Sequence, residues 1–327
     1  MRKTAYSVGL VGATGLIGEK FLRTLEKRNF PVGELRLFAS KKSAGKKLRA
    51  FGRNCVAEHL RDGCFVGLDF VFFSAGKEVS AVYAVKAEDA GAVVIDNSSA
   101  FREDPAIPLV VPEINFSAVD LRKRRIIANP NCSTIQVVLP LAVLDKHYGI
   151  ERIIYTTYQA VSGSGKKGVA DLRLTENGFS PTYYPLPIAK TCIAEIGGIM
   201  PDGYTEEERK MQFETNKILG ASIPVSATCV RTPIENCHAV SAEVQLKKEF
   251  GTEDVKRRLA CADGIILKAL PSAVDSDGRY ETFVGRIRKS TAFENGLAFL
   301  TYADNTLRGA AFNAVAIAEK IITENVP

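Results

Sequence analysis

Along the first 131 residues, short apolar runs alternate with amphipathic ones. YSVGLVG, ELRLFAS, DFVFFSAG, AVVIDNSS and RIIANP are rich in Val, Ile and Phe and end in Gly, Ser or Asn, which predicts strands. Between them, GEKFLRTLEKR and EVSAVYAVKAEDAG carry apolar residues at helical spacing. Strands alternating with helices predict a parallel sheet covered on both faces. From residue 150 to 305 the pattern changes. RIIYTTYQAV and AVSAEVQLK alternate with period two and predict a half-exposed, mainly antiparallel sheet. EEERKMQFETNKIL and TEDVKRRLACA predict helices, and the terminal RGAAFNAVAIAEKII predicts an amphipathic helix that returns to the first domain. The expected fold is α/β. A Rossmann-type, doubly wound domain takes residues 1–131 and 306–327, and a second α+β domain takes residues 132–305.

Composition narrows the function. A chain of 327 residues, 46% hydrophobic and 24% charged, has the make-up of a globular protein with room for two domains. Its +6 net charge is spread out, with short clusters at KKSAGKK and RKRR that lack interleaved aromatics. Anionic small molecules, or merely a solvated surface, fit this better than nucleic acid does. No apolar run is long enough to cross a membrane, and the charged MRK start leads into a strand and glycine turn rather than a leader peptide. The seven cysteines are scattered without a C-x-x-C pair, and His59, His147 and His238 lie far apart in sequence. That usage suits a reducing cytoplasm; neither a disulfide framework nor a metal centre is expected.

Candidate chemistry begins at VGLVGATGLIGEKFLRTL. Gly12, Gly15 and Gly18 follow a strand and open a helix. The first permits a tight turn, the second lets backbone approach a pyrophosphate, and the third lets helix and strand pack closely. At the end of the second strand, where an NAD enzyme usually carries an acid, stand Ser40, Lys41, Lys42 and Ser43. Cations and hydroxyls there favour a 2′-phosphate, hence NADP. Farther on, ANPNCSTIQ sets Cys132 where a strand ends and a helix begins. A helix start is electropositive and favours a thiolate. Gln159 ends a strand before a glycine turn, Glu207 and Lys210 share a helix face, and Arg231 and His238 flank a Pro-containing turn. His238 points with Val240, Ala242, Val244 and Leu246, as a core residue would.

These segments in order carry a resemblance: GATGLIG, SAGK, DNSSAFR, VVPEIN, NPNCST, YQAVSGSG, ETNKILG, R-x6-H and GAAFNA. The chain resembles the bacterial aspartate-β-semialdehyde dehydrogenases over nearly its whole length. The resemblance implies that Cys132 is the nucleophile, His238 the general acid–base, Gln159 a holder of the reacting carbonyl and Asn131 a part of the carbonyl-oxygen site. It pairs Arg231 with the substrate carboxylate, Glu207 with its amine, and Arg102 and Lys210 with phosphate. It places the cofactor on Gly12, Thr14, Gly15, Leu16, Ile17, Ser40, Lys41, Lys42, Ser43, Ser74, Gly163 and Asn305. It also implies a homodimer. SKKSAGKK lacks the arginine often found before SAG, and Ser290 stands where an acid is common.

The implied reaction is the reversible NADPH-dependent reduction of β-aspartyl phosphate to aspartate β-semialdehyde and phosphate, through a Cys132 thioester. It belongs to lysine, threonine and methionine biosynthesis. Backbone N–H groups at the helix start are expected to hold the oxyanion. The alternatives are an N-acetyl-γ-glutamyl-phosphate reductase, whose blocked amine has no use for Glu207, and a non-catalytic NADP-binding protein.

Overall fold

A computed structural model describes residues 3–324 and Val326. Met1 and Arg2 of the charged start lie outside the described residues, as do Asn325 and Pro327 at the end of the expected first domain. The chain divides into two compact units, Met1–Pro130 with Ala310–Pro327, and Asn131–Gly309.

The first unit runs β1 (Tyr6–Val11), α1 (Leu16–Lys27), β2 (Val32–Ala39), β3 (Lys47–Ala50), β4 (Arg53–His59), β5 (Phe70–Phe73), α2 (Lys77–Asp89), β6 (Val93–Asp96), α3 (Pro112–Asn115) and β7 (Ile126–Ala128). Its sheet has the order β3-β4-β2-β1-β5-β6-β7 and is parallel except for the β3–β4 pair. Apolar periodicity does not predict β3 and β4, because KLRA and RNCVAEH are mostly polar and half exposed. A two-residue turn with Phe51 at φ 51° and Gly52 at φ 70° joins them, the left-handed pair that suits a twisted hairpin.

The all-apolar β5 explains why both sheet faces are covered. Phe72 packs on Phe21 of α1 and on Phe30, with ring centroids 5.3 and 6.2 Å away. Its neighbour Phe73 points the other way and meets Phe65, which in turn meets Tyr83 of α2. Because β2 and β5 flank β1 on opposite sides, the strand order reverses there, and the crevice beyond β1 is where such sheets bind ligands.

The second unit runs α4 (Cys132–Tyr148), β8 (Ile150–Gln159), a 3-10 turn at Val161–Ser164, α5 (Gly165–Glu176), α6 (Glu206–Leu219), β9 (Val225–Arg231), β10 (His238–Leu246), α7 (Thr252–Ala260), β11 (Ile265–Leu267), α8 (Ala273–Ser276), β12 (Thr282–Lys289) and β13 (Gly296–Ala303). The sheet order is β11-β12-β13-β10-β8-β9. Its central pairings are antiparallel, but both edge pairings, β8–β9 and β11–β12, are parallel, so the sheet is mixed. The cause is the connection. The chain between β8 and β9 carries α5 and α6, long enough to return β9 in the same direction. A π-helical turn, Leu307–Ala311, then leads into α9 (Phe312–Glu324). Ala314, Val315, Ile317, Ala318 and Ile321 of α9 enter the first unit's core beside Phe21 and Leu25.

Candidate active site

In the first unit, β1 delivers the chain to Gly12 at φ 81°. A Cβ there would stand 2.4 Å from the Ser74 carbonyl oxygen, and a Cβ on Gly18 would stand 2.4 Å from the Gly12 carbonyl oxygen. Neither place admits a side chain. Gly15 is the N-cap of α1 and supplies no side-chain acceptor. The helix therefore opens, at Leu16 and Ile17 after Thr14, as a bare N-terminus suited to a pyrophosphate. Ser40 to Ser43 form a tight turn after β2, with Ser43 N–H donating to the Ser40 carbonyl at 2.8 Å. Lys41 and Lys42 are exposed on it, with no acid in the turn. This cradle fits a dinucleotide. Arg102 also belongs to this unit, where its guanidinium donates to the Asn97 carbonyl at 2.8 Å. The DNSS stretch holds that loop: buried Asp96 accepts from Ser98 Oγ at 2.6 Å. Burial pushes the Asp96 carboxyl up despite the Ser98 hydrogen bonds.

The second unit brings together Asn131, Cys132, Gln159, Glu207, Lys210, Arg231 and His238. Asn131 is the N-cap of α4, and its Oδ1 accepts from Ser133 N–H at 2.9 Å and Thr134 N–H at 3.2 Å. Its carbonyl accepts from Ile135 N–H at 2.9 Å. The cap thus takes three of the helix's opening donors, and the anion hole expected at the helix start cannot draw on them. Cys132, at the first helical position, is partly exposed. Asn131 Nδ2 donates to Glu207 Oε1 at 2.7 Å, so the amide that caps α4 is also tied to α6. Gln159 Nε2 also donates to Glu207 Oε1, at 3.1 Å, and Lys210 Nζ stands 3.4 Å from Glu207 Oε2. Burial pushes Glu207 up, but Lys210, Asn131, Gln159 and Arg231 outweigh it and hold the carboxyl below its ordinary range. Glu207 is ionised and buried.

His238 is also buried. Its Nδ1 accepts the Ala160 N–H at 2.9 Å. A neutral ring with Nδ1 accepting carries its proton on Nε2. Nε2 has no hydrogen-bond partner among the described residues. Burial, and then Arg231, push the imidazole well below its ordinary value of 6.5, so it is neutral at pH 7. Taking a proton from a thiol at Nε2 requires the other tautomer; donating to an oxyanion requires this one. Arg231 Nη1 donates to the Ala160 carbonyl at 2.6 Å, so one peptide segment orients both side chains. Exposed Gly163 leaves the space beside them: a Cβ there would lie 2.9 Å from Arg231 Nη1 and 3.2 Å from His238 Nε2. Asn305 holds the same loop, with Nδ2 donating to Ser162 Oγ at 2.9 Å and Oδ1 accepting from Cys237 N–H at 2.9 Å.

Three residues escaped the sequence reading. Gly309, in the π-helical turn, approaches Cys132 so closely that a Cβ there would lie 2.6 Å from the Cys132 Cβ. Gln136, one turn beyond Cys132, donates to the His238 carbonyl at 3.3 Å and to Thr301 Oγ1 at 2.9 Å, tying the cysteine helix to the histidine strand. Glu214 accepts the Asn131 main-chain N–H at 2.6 Å. It lies seven residues after Glu207, hence on the same face of α6, and that spacing was the available signal.

Residues 7–122 match the family described as semialdehyde dehydrogenase, NAD binding domain, and residues 141–308 match semialdehyde dehydrogenase, dimerisation domain. The chain is similar to an aspartate-semialdehyde dehydrogenase of Aquifex aeolicus, 44% identical over 98% of this chain and 99% of that one. It is similar at 42% identity to one from Bacillus subtilis, over 96% of each chain. The crystal structure of aspartate semialdehyde dehydrogenase II from Vibrio cholerae, complexed with ASA, superposes with a TM-score of 0.95 at 41% identity, covering 98% of this chain and 99% of that one. An aspartate semialdehyde dehydrogenase with NADP from Candida albicans superposes with a TM-score of 0.78 at 25% identity, covering 99% of this chain and all of that one (100%).

Proposed function

The chain belongs to the aspartate-semialdehyde dehydrogenase family, and from that premise we propose that it interconverts β-aspartyl phosphate and aspartate β-semialdehyde plus phosphate, using NADP(H), in aspartate-family amino-acid biosynthesis. The observation that carries this reading is the second unit's polar cluster: a thiol at the first position of a capped helix, beside an ionised carboxylate, a buried arginine and a neutral histidine whose Nε2 proton is unengaged.

In the biosynthetic direction, the Cys132 thiolate attacks the acyl carbon, phosphate departs with the acyl–oxygen bond pair, and a thioester remains. NADPH, which the Gly12–Gly18 turn and the Ser40–Ser43 turn would hold, would supply the hydride that takes the thioester to a hemithioacetal. His238 Nε2–H donates to the oxyanion as it develops, in a site where a fixed donor is worth about 3 kcal/mol. On collapse the hemithioacetal hydroxyl proton passes to His238 Nε2, the C–S bond breaks to release the aldehyde, and the thiolate returns. The planar fork of Arg231 suits the substrate carboxylate, and Glu207 suits its ammonium. Lys210 suits the phosphate, the ligand that the resemblance also implies for Arg102. Gln159 braces Glu207 and reaches the carbonyl only after exchanging that bond.

The basic turn at Lys41 and Lys42 supports NADP over NAD. The outer face of the six-stranded sheet supports a homodimer, since Ile154 and Tyr158 are each 44% exposed there. Scattered free thiols support a cytoplasmic enzyme. Among the described residues, no helix is long and apolar enough to cross a membrane.

The test is NADPH formation from aspartate semialdehyde and phosphate, omitting each component in turn, with N-acetylated semialdehyde as competitor and Cys132→Ala as control. Turnover requires all three reactants, falls at least roughly 10²-fold on the N-acetylated analogue, which strands buried Glu207, and vanishes in Cys132→Ala. Equal use of both semialdehydes would refute the substrate assignment. Near-normal turnover by Cys132→Ala would remove the thioester.

A further inference from the structure

Glu214 is buried to 1% exposure on α6, and its Oε2 accepts the main-chain N–H of Asn131 at 2.6 Å. The same Asn131 is gripped through its side chain by Glu207 at 2.7 Å. Two carboxyl groups, two turns apart on one face of α6, therefore hold one residue, by its backbone and by its amide. That residue is the cap whose Oδ1 fixes the first turn of α4, and the next residue is Cys132. α6 is itself a firm platform. Its N-terminus closes in a capping box between Thr205 and Glu208, and Thr215, next to Glu214, meets the Tyr155 hydroxyl at 3.1 Å. Glu208 Oε1 also accepts the Cys229 N–H of β9 at 2.9 Å.

We propose that Glu214 is a positioning residue for the nucleophile: its carboxylate, through the Asn131 N–H, sets where α4 begins and therefore where the Cys132 sulfur stands. The physical reason lies in the division of labour along Asn131. Its side chain can cap α4 in more than one orientation of the preceding peptide, because Pro130 brings no N–H to anchor that segment. The Asn131 N–H is the first donor after the proline, and a buried carboxyl oxygen at 2.6 Å is a directional acceptor for it. Without that acceptor, the cap and Cys132 are free to shift together while the substrate-binding charges on Lys210 and Arg231 stay in place. Loss of positioning should therefore appear in kcat rather than in KM.

The proposal rests on Cys132 being the nucleophile, so the experiment separates the two. The full-length Glu214→Ala, Glu214→Asp and Glu214→Gln proteins are assayed for kcat and KM. The rate of iodoacetamide modification at Cys132 is followed by peptide mass spectrometry, which reads the thiol whether or not it turns over substrate. Glu214→Asp withdraws the acceptor by one methylene, and Glu214→Gln keeps an acceptor oxygen at the same reach. The expected result is a kcat loss of roughly 10- to 100-fold in Ala and Asp, the scale of an ångström misplacement. Semialdehyde KM should stay within about twofold, Cys132 modification should change in rate, and Gln should recover most of the kcat. Wild-type kcat and modification rate in folded Ala or Asp would overturn the proposal. So would Gln being as impaired as Asp, since a hydrogen bond of the right reach would then not suffice. If Ala does not fold, the Asp–Gln pair decides alone. Retained turnover in Cys132→Ala would overturn the thioester reading instead, and the proposal with it as far as it concerns catalysis.

Discussion

Gly309→Ala is the smallest change that reaches the candidate nucleophile, Cys132, without touching any charged group. The added Cβ would lie 2.6 Å from the Cys132 Cβ, 3.0 Å from its Cα and 3.3 Å from its carbonyl oxygen. Carbon atoms in contact prefer about 3.5–4.0 Å, so roughly an ångström of separation must be found. No flexible side-chain end can swing away, because the atoms met are the Cβ and backbone of the first residue of α4. Overpacking of this kind costs about 1–3 kcal/mol, which leaves a typical domain folded. The same ångström, imposed on a nucleophile, costs on the order of 10²-fold in rate. The variant should thus unfold a few degrees earlier, bind NADPH normally and lose kcat far beyond its loss of stability. A denaturation midpoint, kcat and NADPH affinity measured on one preparation would show this. A double-mutant cycle sharpens it. Cys132→Gly removes the nearer atom, so Gly309→Ala should destabilise the Cys132→Gly protein less than it destabilises wild type, whereas Cys132→Ala, which keeps the Cβ, should give no such relief. Wild-type kcat in Gly309→Ala, or strict additivity of Gly309→Ala with Cys132→Gly, would refute the reasoning.

Two further outcomes follow from the charges. Lys41→Glu or Lys42→Glu should weaken NADPH binding by roughly 10-fold or more, the worth of a hydrogen bond to a charged group, and leave NADH binding nearly unchanged; equal loss for both cofactors would show that the turn does not read the 2′-phosphate. His238 links stability to pH. Its folded pKa is depressed well below 6.5, so below about pH 6.5 the unfolded chain binds the extra proton, and stability is fully present above that value and lost as pH falls. Between pH 7.5 and 5.5 this removes about 1.4 kcal/mol from wild type that His238→Asn does not lose. Urea titrations of both proteins at the two pH values measure it, and a difference that does not vary with pH would mean the histidine is not buried neutral. The same variant should lose roughly 10²–10⁴-fold in turnover.

The sequence by itself determined β1, α1, β2, β5, α2, β6 and β7 of the first unit, and singled out a glycine turn and one thiol as candidates for cofactor site and nucleophile. Strand periodicity over YSVGLV and FVFF, and glycines at 12, 15 and 18, are local signals, because a β-strand or a phosphate turn is specified within about ten residues of itself. It also placed Cys132 at the start of α4 and His238 on the buried face of β10, since both follow from period and punctuation. Only the tertiary structure decided the hairpin of β3 and β4, whose polar residues carry no apolar period, and the parallel edges of the second sheet, whose direction depends on what the crossovers contain. It likewise decided how the site is held. Which group caps α4, which nitrogen of His238 keeps its proton and which glycine makes room for Cys132 are set by Asn131, Ala160 and Gly309. Asn131 is adjacent to the thiol, but Ala160 lies 78 residues from His238, and Glu214 lies 83 residues from the Asn131 N–H it accepts. Such partners share no local pattern; packing alone brings a buried donor to its acceptor, because neither can be left unsatisfied once water is excluded.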